Sequence, residues 1–93
     1  MRYENLVIFN PETGEESINK RVEELKGIID KGGKFLKVTP WGSRQLAYPI
    51  RKKENGYYVL FEFEADEKLL SELRGKFKLD KDVLRHCIVR KED

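Results

Sequence analysis

The apolar positions change their spacing along the chain, and each change marks an element. Tyr3 to Phe9 is short, apolar and rich in β-forming residues, which predicts a strand. Asn10-Pro11 breaks it, and Thr13-Gly14 continues the loop. From Glu15 the period lengthens. Ile18, Val22, Leu25 and Ile29 recur at i, i+4, i+7 and i+11 and form one face of a helix. Glu15 and Glu16 open that helix with the charge its dipole favours, and Gly32-Gly33 closes it.

Phe35 to Val38 begins a second strand. Pro40, Trp41 and Gly42 interrupt it and predict a bulge or kink at a sheet edge. Leu46 to Ile50 resumes extended character, with Pro49 again pointing to an edge. Asn55-Gly56 is the strongest hairpin signal in the chain, with Gly56 expected at a turn position of positive φ. Tyr57 to Phe63 follows as a third strand. Tyr57, Val59, Phe61 and Phe63 share one of its faces, and Tyr58, Leu60, Glu62 and Glu64 the other. Asp66 is placed to cap a second helix whose buried stripe is Leu69, Leu70, Leu73 and Phe77. Asp80 to Asp82 is a polar turn, Val83 to Arg90 the fourth strand, and Lys91-Glu92-Asp93 a frayed tail.

The order strand, helix, strand, strand, helix, strand predicts an α+β, ferredoxin-like βαββαβ fold. Its four strands are antiparallel, and both helices lie on one face. With 93 residues and no internal repeat, the chain reads as one domain spanning residues 1–93. The other face of the sheet is then open. If Val7 and Phe9 face the helices, Leu6 and Ile8 face outward beside Tyr58 and Leu60 and form an apolar patch, with Trp41 nearby, that suits contact with a protein or RNA.

Composition adds solubility rather than specificity. Charged residues make up 39% of the chain, but the net charge is only +2. The distribution is more informative than the sum. Arg44, Arg51, Lys52 and Lys53 follow one another with no acid between them, and Arg85, Arg90 and Lys91 decorate the last strand. Two basic edges of this kind suit phosphate contact. A single cysteine, Cys87, excludes an intramolecular disulfide and suits a reducing compartment. No apolar run is long enough for a membrane helix, and Met1 to Asn10 lacks a signal-peptide core, so the expected location is cytoplasmic.

Catalytic chemistry is not indicated. His86 and Cys87 are adjacent on a strand and point to opposite faces, so they do not share a metal; a structural His and a buried Cys are expected. There is no P-loop, no GxGxxG and no nucleophile elbow. No catalytic residue, metal, cofactor or small-molecule substrate is expected.

The element order is shared with the RNA-recognition motif, whose third strand stacks bases on aromatic residues. The match to its consensus is partial, because Asn55 replaces the basic residue and Tyr58 the small one. A fuller resemblance runs through Trp41-Gly42-Ser43-Arg44-Gln45-Leu46-Ala47-Tyr48-Pro49-Ile50, then Lys52, then Gly56-Tyr57-Tyr58-Val59-Leu60. This resembles the bacterial ribosomal protein S-six (S6) family. Met1-Arg2-Tyr3-Glu4 with Asn10-Pro11, and Leu79-Asp80 through Val83-Leu84-Arg85 to Val89-Arg90, extend the likeness over nearly the whole chain.

The resemblance implies a structural constituent of the small ribosomal subunit without catalytic activity. It implies pairing with ribosomal protein S-eighteen (S18), and binding of the pair to the central domain of small-subunit ribosomal RNA during assembly and translation. From charge and position, Arg2, Arg44, Arg85, Arg90 and Lys91 are the candidate phosphate contacts. Leu6, Ile8, Tyr58 and Leu60 are the candidate contacts to the protein partner. The family often carries an extended C-terminal tail, whereas this sequence ends at Asp93, so tail contacts are expected to be missing.

Overall fold

The computed structural model describes residues 1–91; Glu92 and Asp93, and with them most of the tail expected to fray, lie outside the described residues. The elements are β1 (Arg2–Phe9), α1 (Glu15–Gly32), β2 (Lys34–Ile50), β3 (Lys53–Glu64), α2 (Glu67–Leu79) and β4 (Val83–Lys91). Their order is the expected βαββαβ. They form one four-stranded antiparallel sheet with the strands side by side as β2-β3-β1-β4.

Local chemistry accounts for the boundaries. Pro11–Thr13 forms a 3₁₀ turn rather than an open loop, and the Asn10 side chain accepts from the Glu12 N–H at 3.0 Å. The Asp66 carboxylate accepts from the Leu69 N–H at 2.9 Å and caps α2 as its position predicts. Lys91, assigned to the tail by its neighbours, ends β4 instead.

The core lies between the helices and one face of the sheet. Val7, Phe9, Val59, Phe61 and Phe63 point into it from the strands. Ile18, Leu25 and Ile29 meet them from α1, and Leu69, Leu70, Leu73 and Phe77 from α2. Each apolar stripe read from the helical period is therefore the buried one, with Val22 partly covered at its margin. Burying a side chain such as Phe61 contributes about 1.5–3 kcal/mol.

The strand breakers act as expected: β2 is an edge strand that runs from Lys34 to Ile50 with irregularities within it. One lies between Pro40 and Gly42, where Trp41 is the extra residue and Gly42 takes φ 85°. Only glycine adopts that conformation without steric cost. The hairpin departs from the expectation. It turns at Arg51 and Lys52, with φ of 49° and 66°, and not at Asn55-Gly56. Left-handed backbone at both central residues lets a tight turn follow the strand twist. For residues with a Cβ this costs about 1–2 kcal/mol each. Asn55 and Gly56 lie within β3, opposite Gln45 and Arg44. Gly56 is needed there for a different reason, since Ile8 and Leu46 occupy the space a side chain would take.

Candidate nucleic-acid and partner interface

The register of the sheet lays out the open face row by row. Tyr58 on β3 lies beside Ile8 on β1 and Gly42 on β2, and Ile8 lies beside Arg85 on β4. In the next row Thr39, Leu60, Leu6 and Cys87 line up across all strands. Beyond it come Lys37, Glu62, Glu4 and Val89, and then Glu64, Arg2 and Lys91. The face thus has an apolar middle between two charged ends.

The hairpin end is built by the segment Leu46 to Pro49. Between the pairs Gln45–Asn55 and Ile50–Lys53, β2 carries these extra residues and bulges away from β3. Leu46 folds onto the open face and buries Ile8 and Leu84, with Ile50 and Tyr58 around them. Tyr48 reaches as far as β4, where its hydroxyl accepts a hydrogen bond from the Arg85 guanidinium. That guanidinium also lies 5.8 Å from the centre of the Tyr48 ring. The Leu-Ala-Tyr-Pro-Ile run is thus a strap across one end of the sheet.

This strap corrects one expectation. Ile8 is on the open face as predicted but only 7% exposed, because the chain covers it with its own Leu46. It supports the surface from below. Leu6, Tyr58 and Leu60 are half-exposed and remain available. A second correction concerns Cys87, which is exposed on the open face beside Leu6 rather than buried. His86 faces the other way and packs its ring 5.0 Å from that of Phe77. Burial, and then the charge of Arg74, holds its pKa below the ordinary histidine value, so it is neutral at pH 7.

The candidate cations fall into distinct environments. Arg2 pairs with Glu62 at 3.6 Å and Lys91 with Glu4 at 3.3 Å, so the end of the face farther from the hairpin is largely neutralised. Arg44 and Arg85, at the hairpin end, make no ion pair among the described residues. Each lies over an aromatic ring instead, Arg44 over Trp41 at 5.5 Å and Arg85 over Tyr48. Arg90 is not brought together with these residues. It is opposite Tyr3, whose ring packs on the core residue Phe63, and therefore projects on the helix-bearing side.

A polar knot that sequence reading did not anticipate fixes the start of β4. The Arg21 guanidinium of α1 donates to both Asp80 oxygens at 2.9 and 2.8 Å and to Asp82 at 2.7 Å. Partial burial works against the Arg21 charge, but the Asp82 hydrogen bond and the two carboxylates outweigh it and raise its pKa. Asp80 also accepts from the Asp82 N–H at 2.9 Å. The Asn10 N–H donates to the Asp82 carbonyl at 2.8 Å, and Arg51 at the hairpin turn donates to the Lys81 carbonyl at 3.1 Å. One short turn is therefore held by α1, the end of β1 and the hairpin. Its position sets where Arg85 emerges.

The geometry agrees with the comparisons to known proteins. A sequence model of the family described as Ribosomal protein S6 matches residues 2–90. The chain belongs to the ribosomal protein S6 family. Small ribosomal subunit protein bS6 of Clostridium kluyveri is 42% identical over 92 residues, which cover 98% of this chain and 97% of that one. The bS6 protein of Clostridium novyi (strain NT) is 43% identical over 91 residues, covering 97% and 96% of the two chains. The crystal structure of 30S ribosomal protein S6 from Thermotoga maritima superposes with a TM-score of 0.91 at 33% identity, covering 97% of this chain and 86% of that one. As an S6 protein the chain is a structural constituent of the small ribosomal subunit and has ribosomal RNA as a partner. No helix among the described residues is long and apolar enough to cross a membrane.

Proposed function

We propose that this S6 protein binds the central domain of small-subunit ribosomal RNA jointly with S18, during assembly and translation on cytoplasmic ribosomes. It performs no catalysis there. The observation that carries this reading is the division of the open face. Half-exposed Leu6 and Leu60 form the apolar middle that a protein partner covers, with Tyr58 at its hairpin margin, and Arg44 and Arg85 stand beside it without carboxylate partners among the described residues. Arg2 and Lys91 extend the basic margin on the same face, at the cost of exchanging Glu62 and Glu4 for phosphates. A net charge of +2 suits a protein that shares RNA binding with a second chain.

In this mechanism the side chains do not read base edges. Cations fix the register of the protein on the RNA backbone, and RNA shape selects the site. A filter-binding titration against a central-domain RNA fragment, with and without S18 and at several salt concentrations, tests it. Strong retention only when both proteins are present is the expected result. Equal retention with and without S18 would remove the joint-binding part of the reading.

A further inference from the structure

At the hairpin end of the open face, Arg44 and the marginal residue Tyr58 stand beside a third side chain, Trp41, to which the reading above gives no role. Trp41 is 42% exposed although it is a large aromatic residue, and its ring lies near-parallel to that of Tyr58, at 12° and 6.2 Å between centres. Thr39 lies opposite Leu60 on the open face, so strand alternation carries Trp41, two residues on, to the same face; the bulge at Pro40–Gly42 pairs Gly42 with Tyr58 and leaves the indole beside that pair. Arg44 lies over the same indole. From Lys34 to Gly56 the only acidic residue is Glu54.

We propose that Trp41 and Tyr58 form a stacking site for an unpaired RNA base, with Arg44 holding the adjoining phosphate. The inference deepens the RNA-binding part of the function above and rests on it. Charge decides the class of occupant. At the opposite end of the face, Arg2 and Lys91 are matched by Glu62 and Glu4. Here Arg44 and Arg85 are matched by rings alone among the described residues, so an anionic ligand with flat faces completes the site. A single-stranded nucleotide supplies both features, and the Arg44 side chain needs only to move from the indole to the phosphate. Stacking is tolerant of base identity, so this site adds affinity for a looped-out or bulged nucleotide without reading sequence.

Trp41 is the chain's one tryptophan, so its emission reports directly on the site. The full chain is titrated at low salt with single-stranded RNA hexamers, with an abasic hexamer of equal length, and with inorganic polyphosphate. The expected result is quenching of Trp41 by uridine and adenosine hexamers alike, and none by the abasic hexamer or polyphosphate. In parallel, Trp41→Leu is expected to weaken binding of an end-labelled hexamer by at least about fivefold. Its thermal melt should match the parent's, because the side chain lies outside the helix–sheet core. Absence of hexamer binding, or binding with unaltered emission and unaltered affinity in Trp41→Leu, overturns the proposal and leaves the rings to a protein partner. Neither S18 nor folded RNA is present in this experiment. Failure here is therefore separable from failure of joint central-domain binding, which the filter assay reads.

Discussion

A Cβ built on Gly56 would sit 2.4 Å from Ile8 Cγ2 and 3.1 Å from Leu46 Cδ2. The strap therefore packs against the sheet only because β3 has no side chain at that point. Gly56→Ala is expected to destabilise the protein by about 1–3 kcal/mol through overpacking, as measured by urea denaturation. An unchanged midpoint would mean that Leu46 can lift away freely and that the strap is loosely held.

Arg44→Ala and Arg85→Ala should each reduce the slope of log affinity against log salt by about 1 in the RNA titration with S18 present. Arg90→Ala, on the opposite face of β4, should leave that slope unaltered. A loss for Arg90 equal to that for Arg85 would show that RNA also contacts the helix-bearing side.

Leu60→Asp places a charge in the apolar middle of the open face while leaving the helix–sheet core untouched. Binding of S18, followed by calorimetry, is expected to weaken at least about tenfold. The circular dichroism spectrum and melting temperature should remain near those of the parent. Retained affinity would return Leu60 to ordinary surface.

His86 is the chain's single histidine, so its titration is isolated between neutral pH and the carboxylate range. Its folded pKa lies below the unfolded value because burial and Arg74 disfavour the imidazolium. Below about pH 6.5 the unfolded chain takes up a proton that the folded chain resists, so stability falls as pH falls. The slope attributable to His86 is at most about 1.4 kcal/mol per pH unit. Denaturation at pH 7 and at pH 5.5 should show this loss in the parent and a smaller one in His86→Gln.

Arg21→Ala leaves Asp80 and Asp82 without their shared cation. A loss of about 2 kcal/mol is expected from the charge-assisted hydrogen bonds alone. Amide exchange should rise selectively at Lys81 to Arg85 if the knot fixes the start of β4. A uniform rise would assign Arg21 to global stability only.

The elements were legible because each has its own apolar period, and the two faces of β1 and β3 followed from alternation. The hairpin turn was not, because Asn55-Gly56 satisfies two different demands with the same residue types. Glycine serves a turn where φ is positive, and it serves a strand where a neighbour leaves no room for Cβ. Only the position of Ile8 distinguishes them. The reach of Tyr48 to Arg85 was hidden for a related reason, since bulges suspend alternation and Leu46 to Pro49 has no period to read. Arg90 is the reverse case. Alternation separates it from Arg85, but grouping by charge put the two together. The Arg21 knot joins residues 59 and 61 positions apart, beyond any local pattern.

The order β2-β3-β1-β4 has a consequence for biosynthesis. The first strand to be synthesised occupies an inner position, and both of its neighbours are encoded in the second half of the chain. A nascent β1 leaves the exit tunnel with its hydrogen-bonding edges vacant and keeps them so until Lys53 and then Val83 have followed. The sheet therefore cannot close during translation before β4 has emerged, and the apolar run Leu6 to Phe9 stays unpaired in the interval.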